Sequence, residues 1–129
     1  MWRVAVYARA APGRRGRARL AQQVAKVVVQ VACQPGWCHV GTYTDQSSGH
    51  DASRPGLAQL LADAPVRLDL VVVDDYRQLS PDRHDLGRIV ACLDSVGVRT
   101  AVLRPSLGRR LVSFAATAGF ADLIVEAMG

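Results

Sequence analysis

The sequence predicts an α/β protein of three layers, α/β/α, around a mainly parallel sheet of four to five strands. Three observations lead there. Short β-branched runs alternate with segments of helical periodicity, the signature of βαβ crossovers. The unbroken Leu/Val run from Leu68 to Val73 suits a strand covered on both faces. The chain has 129 residues, half of them hydrophobic, which is enough for one core. A single domain over residues 1–129 is expected, with no separate DNA-binding domain after it.

In chain order, Val4 to Ala8 reads as a first strand, ended by the polar, glycine-containing stretch Ala11 to Gly16. From Arg17 to Ala32, Leu20, Val24, Val27, Val28 and Val31 recur at helical spacing, and Pro35 and Gly36 stop that helix. Trp37 to Tyr43 is a second strand, and Thr44 to Ser53 has no periodicity and reads as a loop. Pro55 stands where helices begin, and Leu57, Leu60, Leu61 and Ala64 carry a short amphipathic helix onward. Leu68 to Val73 is the third strand. Asp82 to Val96 is helical through Leu86, Ile89, Val90 and Leu93; Val98 to Leu103 is the fourth strand.

Leu107 to Met128 predicts a long final helix with two apolar stripes. Phe114, Ala118, Ala121, Val125 and Met128 form one; Val112, Ala116, Phe120 and Leu123 form the other. A helix at the rim of a monomer needs only one such face. Phe114, Ala118, Phe120 and Val125 are therefore candidates for a contact with a second copy or another protein, the alternative being that both faces are buried within the domain.

The formal charge is +5, and Lys26 is the only lysine among sixteen basic residues. Arginine's planar fork suits phosphate and carboxylate oxygens, so the balance permits nucleic acid without requiring it. Arg14, Arg15, Arg17 and Arg19 form a basic stretch that reads either as a phosphate-contacting arm or as a solvated loop. Cys33, Cys38 and Cys92 are odd in number, lack CxxC spacing and read as reduced, mostly packed thiols. His39, His50 and His84 are scattered, so neither a metal site nor a cofactor is expected. Gly13 and Gly16 make neither a phosphate-binding loop nor a dinucleotide fingerprint. The opening apolar run is too short for a secretion signal or a membrane span, which implies a cytoplasmic protein and no membrane partner.

Five segments in order resemble the catalytic domain of the serine recombinases, the resolvase and invertase family. Arg3 to Arg9 is similar to its first strand with a Tyr-x-Arg ending, and Leu20-Ala21-Gln22-Gln23 to the Leu-x-x-Gln of its first helix. Asp45 with Ser48-Gly49 resembles its Asp-x-x-Ser-Gly loop. Arg54-Pro55-Gly56-Leu57 with Leu60-Leu61 resembles its Arg-Pro-x-Leu-x-x-Leu-Leu signature. Asp69 to Val73, Leu79-Ser80 and Gly97-Val98 resemble its third strand, the loop beyond it and the approach to the fourth. The resemblance implies a resolvase-like catalytic fold with a long C-terminal helix. It also implies a serine that attacks a DNA phosphodiester inside a cage of arginines, which is nucleophilic catalysis with electrostatic stabilisation.

Position by position, that chemistry is missing. The residue two beyond Tyr-x-Arg, where the family has its serine, is Ala11. Where the family has a lysine, an Asp-Arg pair and a further arginine, this chain has Asp74, Arg77, Gln78 and Pro81. The family's Glu-Arg pair in the last helix would fall near Ala121 and Asp122. Tyr7, Arg9, Gln23, Asp45 and Arg54 are retained. Asp74 and Asp75 would repel a phosphate at the mouth of the site. They read best as internal ion-pair partners of Arg9 or Arg54; a divalent-metal site with Asp45 and a phosphoacceptor site are the other readings. Ser47, Ser48 and Ser80 are the remaining hydroxyls near the cleft, expected to serve loop hydrogen bonding.

Three functions compete on these residues. The first is a recombinase-like domain without cleavage, regulatory or scaffolding, acting by self-association or by binding a DNA-acting partner, with weak non-specific DNA contact. The second is a divergent active recombinase using another hydroxyl or completing its site with a partner. The third is a small-molecule enzyme on a flavodoxin-like sheet, with its site outside the strand C-termini near Arg9, Asp45 and Asp74.

Overall fold

The computed structural model describes residues 1–47 and 54–103. The expected final helix, with Phe114, Ala118, Phe120 and Val125, lies outside the described residues, as do Ser48 and His50. Four strands, β1 (Trp2–Ala10), β2 (Trp37–Gln46), β3 (Leu70–Val73) and β4 (Arg99–Val102), form one sheet in the order β2-β1-β3-β4. All three strand pairs are parallel. Three helices connect them: α1 (Arg14–Ala32), α2 (Pro55–Arg67) and α3 (Arg83–Ser95).

The period-2 alternation of β1 and β3 sorts the core into two layers. Val4, Val6, Leu70 and Val72 pack with Val27 and Val31 of α1. Ala5, Tyr7, Val71 and Val73 pack on the other face with Leu57 and Leu60 of α2 and Leu86, Val90 and Leu93 of α3. Every residue of β3 is fully buried, which is why its sequence shows no polar alternation.

Several boundaries differ from the sequence expectation, each for a tertiary reason. β1 and β2 both run further, to Ala10 and Gln46, because they pair with each other along their whole length: Arg9 stands beside Asp45 and Ala10 beside Gln46. Pairing thus overrides the weak strand propensity of Thr44 to Gln46. Helix α1 begins three residues early, so Arg14, Arg15, Arg17 and Arg19 lie on exposed helix surface in its opening turns and not in a flexible loop. Gly16 is buried in that first turn, and a Cβ there would come within 1.6 Å of the Ala11 carbonyl oxygen. Only glycine lets helix and loop approach so closely. Asp82 caps α3 by accepting from the His84 amide, a standard N-cap. The short 3-10 turn Tyr76–Gln78 has too few residues for periodicity to reveal it. The three cysteines are free but exposed, not packed as expected.

Candidate functional site

The strand order reverses between β1 and β3, because β2 lies to one side of that pair and β4 to the other. Sheets of this kind open a crevice at the carboxyl ends of the strands where the order reverses. The polar residues that survive in the sequence converge there.

At the centre is Tyr7, wholly buried, whose hydroxyl donates to Asp45 Oδ2 at 2.7 Å and accepts from Arg54 Nη2 at 2.8 Å. The Arg54 guanidinium carbon also lies 5.5 Å from the Tyr7 ring centroid. Burial, reinforced by the Asp45 carboxylate, pushes the Tyr7 phenol well above its ordinary range, so it stays protonated and able to donate. Asp45 has two further partners: Oδ1 accepts from the Gly56 amide at 2.7 Å and Oδ2 from the Leu57 amide at 2.8 Å. It caps the first turn of α2 from a neighbouring strand, which the helix needs because Arg54, at its own N-cap position, supplies no side-chain cap. The close approach demands glycine at 56, where a Cβ would lie 2.2 Å from the Thr44 carbonyl oxygen.

The two retained arginines turn inward. Arg54, 8% exposed, donates through Nη1 to the Leu79 carbonyl and through Nη2 to the Gln78 carbonyl at 3.0 Å. Arg9 donates through Nη2 to the Arg77 carbonyl at 2.7 Å, through Nη1 to the Ser47 carbonyl at 3.1 Å and through Nε to the Gln78 carbonyl at 3.3 Å. Its amide also donates to Gln78 Oε1 at 3.2 Å. Burial lowers the Arg9 pKa, with the nearby Arg54 charge adding to the effect. Carbonyl oxygens of residues 77 to 79 thus engage four of the six guanidinium nitrogens expected to serve the acids or a phosphate.

The acids pair elsewhere, correcting the expected bonds to Arg9 or Arg54. Asp74 Oδ2 lies 3.3 Å from Lys26 Nζ on α1. Asp75 caps the 76–78 turn by accepting from the Arg77 amide at 2.9 Å, and its Oδ2 lies 3.3 Å from Arg77 Nη2. Among the described residues no cluster of acids, histidines and cysteines fit to hold a metal occurs.

Ala11 is exposed, one residue past the end of β1. Pro81 is exposed beyond it and contributes nothing to the cluster. Gln23 faces inward from α1, and its Oε1 is buried without a hydrogen bond. Ser80 does serve its loop, accepting from the Asp82 amide at 3.1 Å. Ser47 does not: its amide donates to the Ala10 carbonyl at 3.0 Å, but its Oγ is buried and unpartnered. The sequence carries no signal for either orphan, because both depend on contacts between elements distant in sequence.

On the flank, an open groove of about 480 Å³ runs between α1 and β2. Leu20, Val24, Val28, Thr42 and Thr44 line it, with Arg17 at its border. Among the described residues no helix is long and apolar enough to cross a membrane.

The family model for the resolvase N-terminal domain matches residues 4–123. Among solved structures, the N-terminal catalytic domain of TP901-1 integrase is similar at TM-score 0.69 and 24% identity, covering 84% of this chain and 86% of that one. A serine recombinase from Sulfolobus solfataricus is similar at TM-score 0.69 and 22% identity, over 88% and 80%. The C-terminal catalytic domain of ISC1926 TnpA, an IS607-like serine recombinase, gives 0.70 and 23%, over 78% and 69%. No curated protein is significantly similar to the chain.

Proposed function

Since the chain belongs to the resolvase N-terminal domain family, we propose that it is a member silent in strand cleavage, acting as a regulatory or scaffolding partner. It associates with itself or with a DNA-acting protein, and touches DNA only weakly and without sequence preference. One observation carries the reading: the exposed position two residues past Tyr7-x-Arg9 holds the Ala11 methyl, while Arg9 and Arg54 are engaged by main-chain carbonyls. Nucleophilic catalysis on phosphorus needs an oxygen and free cations at one point.

Association draws support from the apolar groove beside α1, where Leu20, Val24 and Val28 are only half-buried and the neighbouring Val29 is 58% exposed. Weak DNA contact draws support from Arg14, Arg15, Arg17 and Arg19. These gather positive charge at the positive end of a helix dipole, an arrangement that a polyanion would relieve.

The test is incubation with supercoiled plasmid, with denaturing capture of any covalent protein–DNA adduct. No relaxation and no adduct are expected, and none from Ala11→Ser either, since the arginines stay engaged. Relaxation by the unaltered chain sinks the proposal. Light scattering with and without duplex DNA, at low and moderate salt, should find an oligomer whose DNA binding fades with salt; a monomer indifferent to DNA sinks the association reading. A divergent active enzyme has one feature in its favour, the Ser47 hydroxyl one strand away from Ala11, and an adduct mapped to Ser47 would establish it.

A further inference from the structure

We propose that the turn at residues 76–79 is a built-in latch, whose carbonyl oxygens stand on Arg9 and Arg54 where an oxyanion would otherwise sit. The pocket takes an oxyanion only when that turn withdraws. The inference rests on the reading of a silent pocket and adds what keeps it shut.

Five hydrogen bonds run from the two guanidinium groups to the main chain of Arg77, Gln78 and Leu79 and of Ser47. Four of the five end on the turn. A carbonyl oxygen presents the same acceptor to a guanidinium as a phosphate oxygen does, but without a full charge. The turn is therefore a weaker ligand held at a very high local concentration, and its advantage lasts only while its own anchors hold. Those anchors include the Gln78 side chain on the Arg9 amide, the Asp75 cap, and the buried Tyr76 ring and Leu79 side chain.

The closed arrangement also leaves polar atoms unsatisfied. Arg54 Nε and Ser47 Oγ, on residues 8% and 4% exposed, have no hydrogen-bond partner, and neither does the Tyr76 hydroxyl inside the latch itself. Arg54 and Ser47 are linked through Arg9, which bonds both the Ser47 carbonyl and the turn that Arg54 holds. Withdrawal of the turn would let Arg54 Nε and the Tyr76 hydroxyl find the partners they lack in the closed arrangement. Buried polar groups left unpaired are costly, so the latch is a strained closure and not an inert filling.

The test is titration of the full chain with inorganic phosphate at constant ionic strength, following the arginine Nε–H resonances by NMR. In the unaltered chain the Arg9 and Arg54 signals should stay in place; their movement at phosphate levels that leave the surface arginines unmoved overturns the latch. Gln78→Gly removes the tether to the Arg9 amide and loosens the turn, and should bind phosphate at least tenfold more tightly, with both arginine signals shifting. Gln78→Ala, which spares the backbone, should shift in the same direction by less. Equal affinity in the unaltered chain and either folded variant overturns the proposal. Plasmid cleavage would defeat the silent reading, whereas a response of the unaltered arginines to phosphate without cleavage defeats the latch alone.

Discussion

The two sides of the strand reversal have opposite chemistry on the same scaffold. On the β1–β2 side, Tyr7, Asp45 and Arg54 form a closed ring of buried bonds that reaches the first turn of α2. On the β3 side, Asp74, Arg77, Gln78 and Pro81 stand where the resemblance implies a lysine, an Asp-Arg pair and a further arginine; Asp74 pairs with the partly exposed Lys26 and Gln78 accepts from the Arg9 amide. The β1–β2 side holds residues that also build the fold. Asp45 is simultaneously a helix cap, the acceptor for a buried phenol and the neighbour of a buried guanidinium, whereas Asp74 reaches α1 through an ion pair with the partly exposed Lys26.

The sharpest break of that contrast is Asp45→Ala. It strips the α2 amides of their acceptor and leaves Arg54 buried without its compensating charge, at a cost of about 3–5 kcal/mol. Urea denaturation should show the loss; a change below about 1 kcal/mol would mean the ring is not structural.

Alkali should act next, through one buried phenol on each side. The Tyr7 and Tyr76 phenols are both raised by burial above their ordinary value of 10.0, so the stability tied to their protonated forms is intact below that value. It is lost progressively as pH rises beyond it, because the unfolded chain then releases protons that the folded chain retains. Tyrosine ionisation followed by absorbance should coincide with unfolding followed by circular dichroism. A phenolate signal for Tyr7 appearing while the fold persists would contradict the burial argument.

The smallest effect belongs to the β3 side. Lys26→Met removes one ion-pair partner of Asp74, at a 38% exposed side chain, and should cost about 1 kcal/mol or less, shrinking in salt. A loss comparable to that of Asp45→Ala would erase the asymmetry between the two sides.

Much of this was legible without coordinates. The Leu/Val run of β3 and the spacing of Leu57, Leu60 and Ala64 announce the layers, and Tyr7, Arg9, Asp45 and Arg54 stand out in the sequence itself. What escaped depends on partners distant in sequence. Nothing local says that Arg9 and Arg54 would bond carbonyls instead of carboxylates, that Lys26 on α1 would reach Asp74, or that Thr44 to Gln46 would extend a strand beside β1. The basic stretch from Arg14 looked like loop because Gly13 and Gly16 dominate its local preference. Yet Gly16 is there for close packing, and packing leaves no periodic trace.

The contact at Gly16 has a consequence for descent. With its hydrogen pressed against the Ala11 carbonyl, where a methyl would sit at 1.6 Å, position 16 admits no other residue and the peptide at 11 is pinned. A lineage can exchange the group hanging from residue 11 by a single codon without disturbing its perch. A hydroxyl placed at residue 11 would stand where the Ala11 methyl stands now, with Arg9 and Arg54 still held by the carbonyls of residues 77 to 79.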